Sequence, residues 1–261
     1  MTWSSKHQLT YLSIFAAAVI IILAINIYPY FNQPATCFDN KQNGGERGID
    51  CGGICTTVCR NDAKPIIVLW TRAFKVAPGR YNLLSYVENQ NVNATIKNLK
   101  YTFTVFDGDG VTITEKSGVT DIPPNGDFAI FESGIETGNR IPGNNTKIEL
   151  DSSQARWMKI DQTKRNQINI TVLDKKITDW QSSPLVDATL KNDSLYDIPN
   201  MNVIAIVSTL DGNAVNVSEY KGFNLPKSSS KNISFTWPEP FAGNEFSIEI
   251  IPEYDLDSIA F

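Results

Sequence analysis

A chain of 261 residues with 42 % hydrophobic content, 16 glycines and 13 prolines holds enough apolar material for one or two packed domains and is not globally disordered. It carries 23 Lys and Arg against 28 Asp and Glu; Lys6 is the only one of them before Asp39, so the remainder holds 22 cations against 28 acids, a net −6. Such a surface repels phosphate backbones and anionic lipid headgroups, and no basic, aromatic-interleaved stretch offsets it, which excludes nucleic acid as a partner.

The chain opens on an apolar run. From Leu9 to Ile27 only Thr10, Ser13 and Asn26 are polar and nothing is charged. As a helix the run reaches about 28 Å, close to the hydrocarbon thickness of a bilayer. Tyr28 and Tyr30 on one side and Trp3 on the other stand where an interfacial aromatic belt belongs. A cleaved signal peptide needs a shorter apolar core and a small-x-small site, where this chain has the bulky Asn26-Ile27-Tyr28-Pro29-Tyr30-Phe31. A lipoprotein signal needs a small residue directly before its cysteine, and Thr36 precedes Cys37. The expectation is an uncleaved anchor at 9–27 with a cytoplasmic N-terminus at 1–8. Charge sets the orientation weakly, because Lys6 and the α-amino group oppose Lys41 and Arg47. The four cysteines all lie beyond the span, which favours an oxidising space for the bulk of the chain. The expected location is the cell membrane, single-pass, with the bulk extracytoplasmic.

Residues 28–63 form a linker and a cysteine module. Cys37, Cys51, Cys55 and Cys59 are spaced C-x13-C-x3-C-x3-C, among five glycines and hardly any apolar side chain. A segment without a core relies on disulfides or a metal. Structural zinc prefers C-x2-C knuckles and reducing compartments, and a redox pair needs C-x-x-C. Two disulfides are expected, with three connectivities that spacing does not separate. Asp39, Asn43, Glu46 and Asp50 crowd hard oxygen donors into the same loop. A calcium ion accepts such donors, whereas Asx turns and positive-φ glycines account for the same composition with no ion; the spacing is not that of an EF-hand. No other cofactor is expected. The string C37-x-D39-x3-N43-x2-E46-x-G48-x-D50-C51-G52-G53-x-C55-x3-C59 resembles a short cysteine-rich motif of bacterial and algal surface proteins. It covers about 23 residues, with Asn40 where the pattern usually has Gly. The resemblance implies exposure outside the cytoplasm and no particular chemistry.

Beyond Cys59 the sequence changes to short alternating runs separated by Gly, Pro, Asn and Asp, the all-β pattern. Tyr101, Phe103 and Val105 point to one face, Asp107-Gly108-Asp109-Gly110 turns, and Val111 and Ile113 return. Val203, Ala205 and Val207, then Asp211-Gly212-Asn213, then Val215 and Val217 repeat the idea. Val68–Asn89 superposes without a gap on Thr171–Asn192 at an offset of 103, setting Trp70 on Leu173, Phe74 on Ile177 and Asn89 on Asn192. Pro123 falls on Pro226, and Phe131 lies one step from Phe235. A duplication explains this economically. Two tandem β-sandwich, immunoglobulin-like domains are expected at 64–160 and 161–261, divided within the polar stretch at 161–166. Trp70, Trp157, Trp180 and Trp237 are read as core or inter-domain anchors. Residues 84–114, with Val87-Glu88-Asn89 and Phe106-Asp107, resemble the FxLYD-type and immunoglobulin-like extracytoplasmic domains. Leu190-Lys191-Asn192 and Leu210-Asp211 repeat the pattern with Leu for the aromatic residue. This resemblance implies an envelope location and no known activity.

Catalysis through an imidazole is closed, because the one histidine, His7, precedes the span. Glu239, between Trp237 and Phe241, is the carboxylate that a glycan-cleaving pair would use, but Pro238 and Pro240 mark its stretch as a loop or edge. Asp107 and Asp109 are read as a hairpin turn rather than half a calcium loop. Glycosylation sequons begin at Asn93, Asn144, Asn169, Asn192, Asn216 and Asn232. The expected role is a membrane-anchored binding or scaffolding protein, attached through Leu9–Ile27, with no catalytic residue and an unidentified protein or glycan partner. The alternatives are a carboxylate-based envelope enzyme or accessory acting on glycans, and a membrane subunit of a secretion, pilus or signalling assembly in which Ala16-Ala17-Ala18 permits close helix approach.

Overall fold

The computed structural model describes the backbone of residues 3–31 together with residues 35–153 and 155–261; within the first of these, side chains are described for residues 8 and 10–28. Expectations resting on the side chains of Trp3, Lys6, His7, Leu9, Pro29, Tyr30 and Phe31 lie outside the described residues. The chain divides into two compact units, Met1–Cys55 and Thr56–Phe261.

The first unit begins with α1 (Trp3–Phe31). Every side chain from Thr10 to Tyr28 is exposed, and that segment has a mean hydropathy of 2.4. A helix apolar on all sides suits an apolar surrounding rather than one core-facing stripe. Two of its described polar side chains bond its own backbone: Ser13 Oγ donates to Thr10 O at 2.9 Å and Asn26 Nδ2 to Ile22 O at 2.7 Å. One helix among the described residues is thus long and apolar enough to cross a membrane, by length and composition. The loop that follows has no helix or strand among its described residues and is closed by a Cys37–Cys55 disulfide.

The second unit is all-β. Its strands are β1 (Ile67–Ala77), β2 (Arg80–Asn89), β3 (Ala94–Phe106), β4 (Thr112–Ile122), β5 (Gly126–Glu136), β6 (Lys147–Leu150), β7 (Trp157–Lys159), β8 (Ile170–Thr178), β9 (Leu185–Asn192), β10 (Ile198–Thr209), β11 (Ala214–Leu225), β12 (Ser230–Thr236) and β13 (Phe246–Glu253), with a one-turn helix α2 (Gln162–Arg165) after β7. They form sheets of order β1-β2-β5, β4-β3-β6 with β7 also on β3, β12-β9-β8, and β11-β10-β13, all paired antiparallel. The β3–β4 connection turns at Asp107–Gly110, where Gly110 takes φ +79° and donates to Asp107 O at 3.1 Å. The β10–β11 connection turns at Gly212, φ +81°, which donates to Thr209 O at 3.0 Å.

Alternation along each strand builds two separate cores. Leu83 and Val87 of β2, Phe103 and Val105 of β3, and Phe128 and Ile130 of β5 pack together between the first two sheets. Val186 and Leu190 of β9, Val203 and Val207 of β10, and Ile233 and Phe235 of β12 pack between the other two. The pairing registers match as well: Val87 faces Phe128 and Ser85 faces Ile130, while Leu190 faces Lys231 and Ala188 faces Ile233, each an offset of 103. In the strand before, the gapless superposition holds at Trp70 and Leu173, which pair with Tyr86 and Thr189, and is one residue out on either side of them. Ala73 pairs with Leu83 where Ile177 pairs with Val186, so Ala73 and not Phe74 corresponds to Ile177. Phe74 accordingly faces the seam, away from the core of its own sandwich, whereas Ile177 packs on the core of the second. Phe131 and Phe235 are not counterparts either; the single-residue step puts them on opposite sheet faces.

One remaining face of each sandwich meets its counterpart. Phe74, Leu84 and Ala129 from β1-β2-β5 are buried against Ile204, Ile206 and Val217 from β11-β10-β13, with Trp70 stacked on Tyr86 at 5.5 Å alongside. The second unit is therefore four sheets deep: β4-β3-β6, β1-β2-β5, β11-β10-β13 and β12-β9-β8, with an apolar layer at every junction.

Candidate functional site

The cysteine loop is built by side chains that bond the chain's own backbone. Asp50 carboxylate oxygens accept from Asp39 N at 3.0 Å and Asn40 N at 3.0 Å. Glu46 Oε2 accepts from Asp50 N at 3.2 Å and Asn43 N at 3.4 Å. Asp39 accepts from Lys41 N and from Asn43 Nδ2, both at 2.9 Å. The Asn43 hydrogen bond, with help from the Lys41 and Thr36 N–H groups, holds the Asp39 carboxyl below its usual range against its desolvation. The Asp39 bond to Lys41 N is an Asx turn, whereas Asp50 reaches back to the start of the loop; Asn40 and Asp50 both take positive φ. Asn43 Oδ1 is enclosed without a partner. One trio of donor atoms among the described residues lies within 4.8 Å of one another, Cys37 Sγ, Glu46 Oε and Cys55 Sγ. Its two sulfurs are bonded to each other and, as disulfide sulfurs, carry no proton for the 3.2 Å contact with Glu46 Oε1. Cys51 and Cys59 are also disulfide-bonded, and no cysteine is free.

In the second unit, the other residues singled out by sequence take structural places. Trp157 and Trp237 are buried in the two cores, Trp180 packs on the second, and Trp70 lies in the seam between the sandwiches. Glu239 is held by Lys75 Nζ at 2.8 Å. Asp107 accepts from Arg140 Nη2 at 2.5 Å and from the Asp109 and Val111 N–H groups, and the Arg140 guanidinium is the main cause that keeps its carboxyl below the usual range. Of the sequon asparagines, Asn192 is fully buried and Asn216 bonds Lys75 O in the seam, while Asn93, Asn144, Asn169 and Asn232 are exposed.

The seam brings together charged groups that no local motif announced. Lys97 Nζ on β3 contacts Asp255 and lies 3.1 Å from Asp121 Oδ2 and 3.2 Å from Asp257 Oδ2. Partial burial works against its charge, but the three aspartates outweigh that and raise its pKa. Because Asp255 and Asp257 follow β13, this ammonium ties the end of the second sandwich to the first. A groove of about 720 Å³ runs beside it, lined by Asp127, Arg165, Asn200, Asn202 and Glu253 among others. On the seam face, Tyr86 Oη donates to Glu249 at 2.7 Å; burial and then this bond raise its pKa. Tyr101 Oη donates to Glu132 Oε1 at 2.9 Å. The available signal was the uninterrupted apolar run Val203-Ile204-Ala205-Ile206-Val207, which marks a strand buried on both faces.

No protein family matches the chain, and no curated protein does. Among solved structures it is similar to red sea bream transglutaminase, at 8 % identity and a TM-score of 0.26, over 74 % of this chain and 30 % of that one. A coconut allergen, cocosin, follows at 8 % identity and a TM-score of 0.11, over 74 % of this chain and 84 % of that one. The chain thus spans under a third of the transglutaminase, and likenesses at these scores identify neither fold family nor chemistry.

Proposed function

We propose that this chain is a single-pass membrane protein, N-terminus in the cytoplasm, whose extracytoplasmic part binds or scaffolds other envelope or surface components through two tandem immunoglobulin-like sandwiches that arose by duplication. The observation that carries the reading is the all-round apolar, exposed helix at the N-terminus of a chain whose cysteines are all oxidised. Matching strand orders and registers in the two sandwiches support the duplication. Glu239, the carboxylate that a glycan-cleaving role would need, is spent on Lys75, which favours binding over catalysis. The partner is an unidentified protein or glycan, and the groove beside Lys97 is the place for it to bind. Adding protease to intact cells tests the topology: the β unit is expected to be cut without lysis, and complete protection until lysis would sink the orientation.

A further inference from the structure

We propose, on the reading of α1 as a membrane span, that the cysteine loop rests on the same bilayer and sets Phe38, Ile49 and Ile54 into its interface. These are the three large apolar side chains of residues 37–55, and all of them face out, at 74 %, 63 % and 73 % exposure. The side chains turned inward are polar: Asp39, Asn43, Glu46 and Asp50 are half-buried, and each bonds within the loop. One exposed isoleucine is ordinary on a protein surface. A segment that turns out every large apolar side chain it has, while its polar groups bond inward, is built for an apolar neighbour.

Two cross-links gather the three side chains. Phe38 follows Cys37 and Ile54 precedes Cys55, and the disulfide holds those two Cα atoms 5.7 Å apart. Ile49 precedes Asp50, whose carboxylate accepts from Asp39 N beside Phe38. A loop fixed in this way loses little further freedom on inserting its side chains. The anchor decides which neighbour they meet. Seven residues separate Phe31, the end of α1, from Phe38, a reach of about 25 Å at full extension. The bilayer surface is therefore a tethered partner at high effective concentration. Lys41 is exposed in the same loop, and its stem is long enough to lie along apolar surface with the ammonium among lipid phosphates. Asp39, Glu46 and Asp50 against Lys41 and Arg47 leave residues 37–55 at a net −1. Apolar insertion, rather than attraction to anionic lipid, is the driving force, so a zwitterionic bilayer serves.

The test places a spin-labelled non-natural residue, one position at a time, in the full chain reconstituted into phosphatidylcholine vesicles. It compares collisions with molecular oxygen, which concentrates in lipid, and with a water-soluble nickel chelate, which lipid excludes. Labels replacing Phe38, Ile49 and Ile54 are expected to give an oxygen-to-nickel ratio severalfold above that of a label replacing Leu210, an exposed leucine between β10 and β11. A label at Ile20, within α1, reports on the span separately and should give the highest ratio. Phe38→Ser with Ile54→Ser is expected to lower the ratio at position 49 to the Leu210 value. With Ile20 in lipid, loop labels that match Leu210 would overturn the proposal, as would a ratio at position 49 that survives both serines. A ratio that rises only at high protein-to-lipid proportion would assign the loop to a second copy of the chain and overturn it too. If Ile20 itself reads as water, the span fails, and the resting loop falls with it.

Discussion

A buried asparagine offers two donors and an acceptor with two lone pairs, and Asn89 and Asn192 spend that capacity at matching corners of the two sandwiches. Asn89 Nδ2 donates to Ala94 O at 3.0 Å and Pro123 O at 2.7 Å, and its Oδ1 accepts from Asn91 N at 2.9 Å. Asn192 Nδ2 donates to Tyr196 O at 2.9 Å and to Leu225 O and Pro226 O at 3.1 Å, and its Oδ1 accepts from Ser194 N at 3.0 Å. Each side chain thus does the work of a missing strand where the sheet ends. Asn192→Ala leaves those carbonyls buried and unpaired, a cost of about 3 kcal/mol, read as a lower urea midpoint with an unchanged slope. Gly118 carries a different obligation. It lies opposite Tyr101, and a Cβ there would sit 2.3 Å from the tyrosine Oη. Gly118→Ala must therefore move the Tyr101 ring off Glu132; the expected loss is about 1–3 kcal/mol, and Tyr101→Phe in the same background should recover part of it.

At the scale of elements, β10 shows what was legible and what was not. Its alternation placed Val203, Ala205 and Val207 on the core face, where they are. The residues between them, Ile204 and Ile206, are as buried as the core, at 1 % and 2 % exposure, because a second sandwich covers that face. A strand half open to water would carry Thr or Lys there, so the apolar run did signal a cover; what supplied it lies more than sixty residues upstream, in β2 and β5. Lys97, Asp121 and Asp255 are invisible to local reading for the same reason, since each belongs to a different element. The cysteine loop is similar: spacing showed a staple, but the Cys37–Cys55 bond depends on glycine turns such as Gly53, φ +54°, where a Cβ would sit 1.8 Å from Gly45 O. Ile204→Asn separates the two faces of β10 experimentally. Burying the amide without partners weakens the seam by about 3 kcal/mol, with the second core left intact. Cleavage by a dilute protease in the connection at 160–169 should rise sharply in Ile204→Asn, whereas Val203→Asn, which enters the core, should expose the whole second sandwich.

For the whole molecule, comparison of equivalent faces explains why the stack is four sheets and no more. Strand pairing sets Thr102, Thr104, Glu115 and Glu149 of the first sandwich against Ile204, Ile206, Val217 and Ile251 of the second. It likewise sets Leu84, Tyr86, Ala129 and Phe131 against Asp187, Thr189, Asn232 and Ser234. The seam joins the apolar version of each face, and the outer surfaces present the polar version, where Thr102 bonds Ser117 and Thr189 bonds Asn232. Because the seam uses unlike faces, its geometry is head-to-tail and would propagate through further copies if the outer faces were apolar as well. Polar outer faces remove the hydrophobic driving force for that propagation. Converting one outer face, Thr102→Ile with Thr104→Ile and Glu149→Ile, leaves its complement on a neighbouring chain occupied or polar. Converting the other as well, Asp187→Leu with Thr189→Tyr and Ser234→Phe, completes the pair. Sedimentation of the full chain in micelles should then show single molecules for the wild type and for either conversion alone. The doubly converted chain should form oligomers whose mean length grows with concentration; if it stays at the size of the wild type, the identity of the paired faces does not decide where the stack ends.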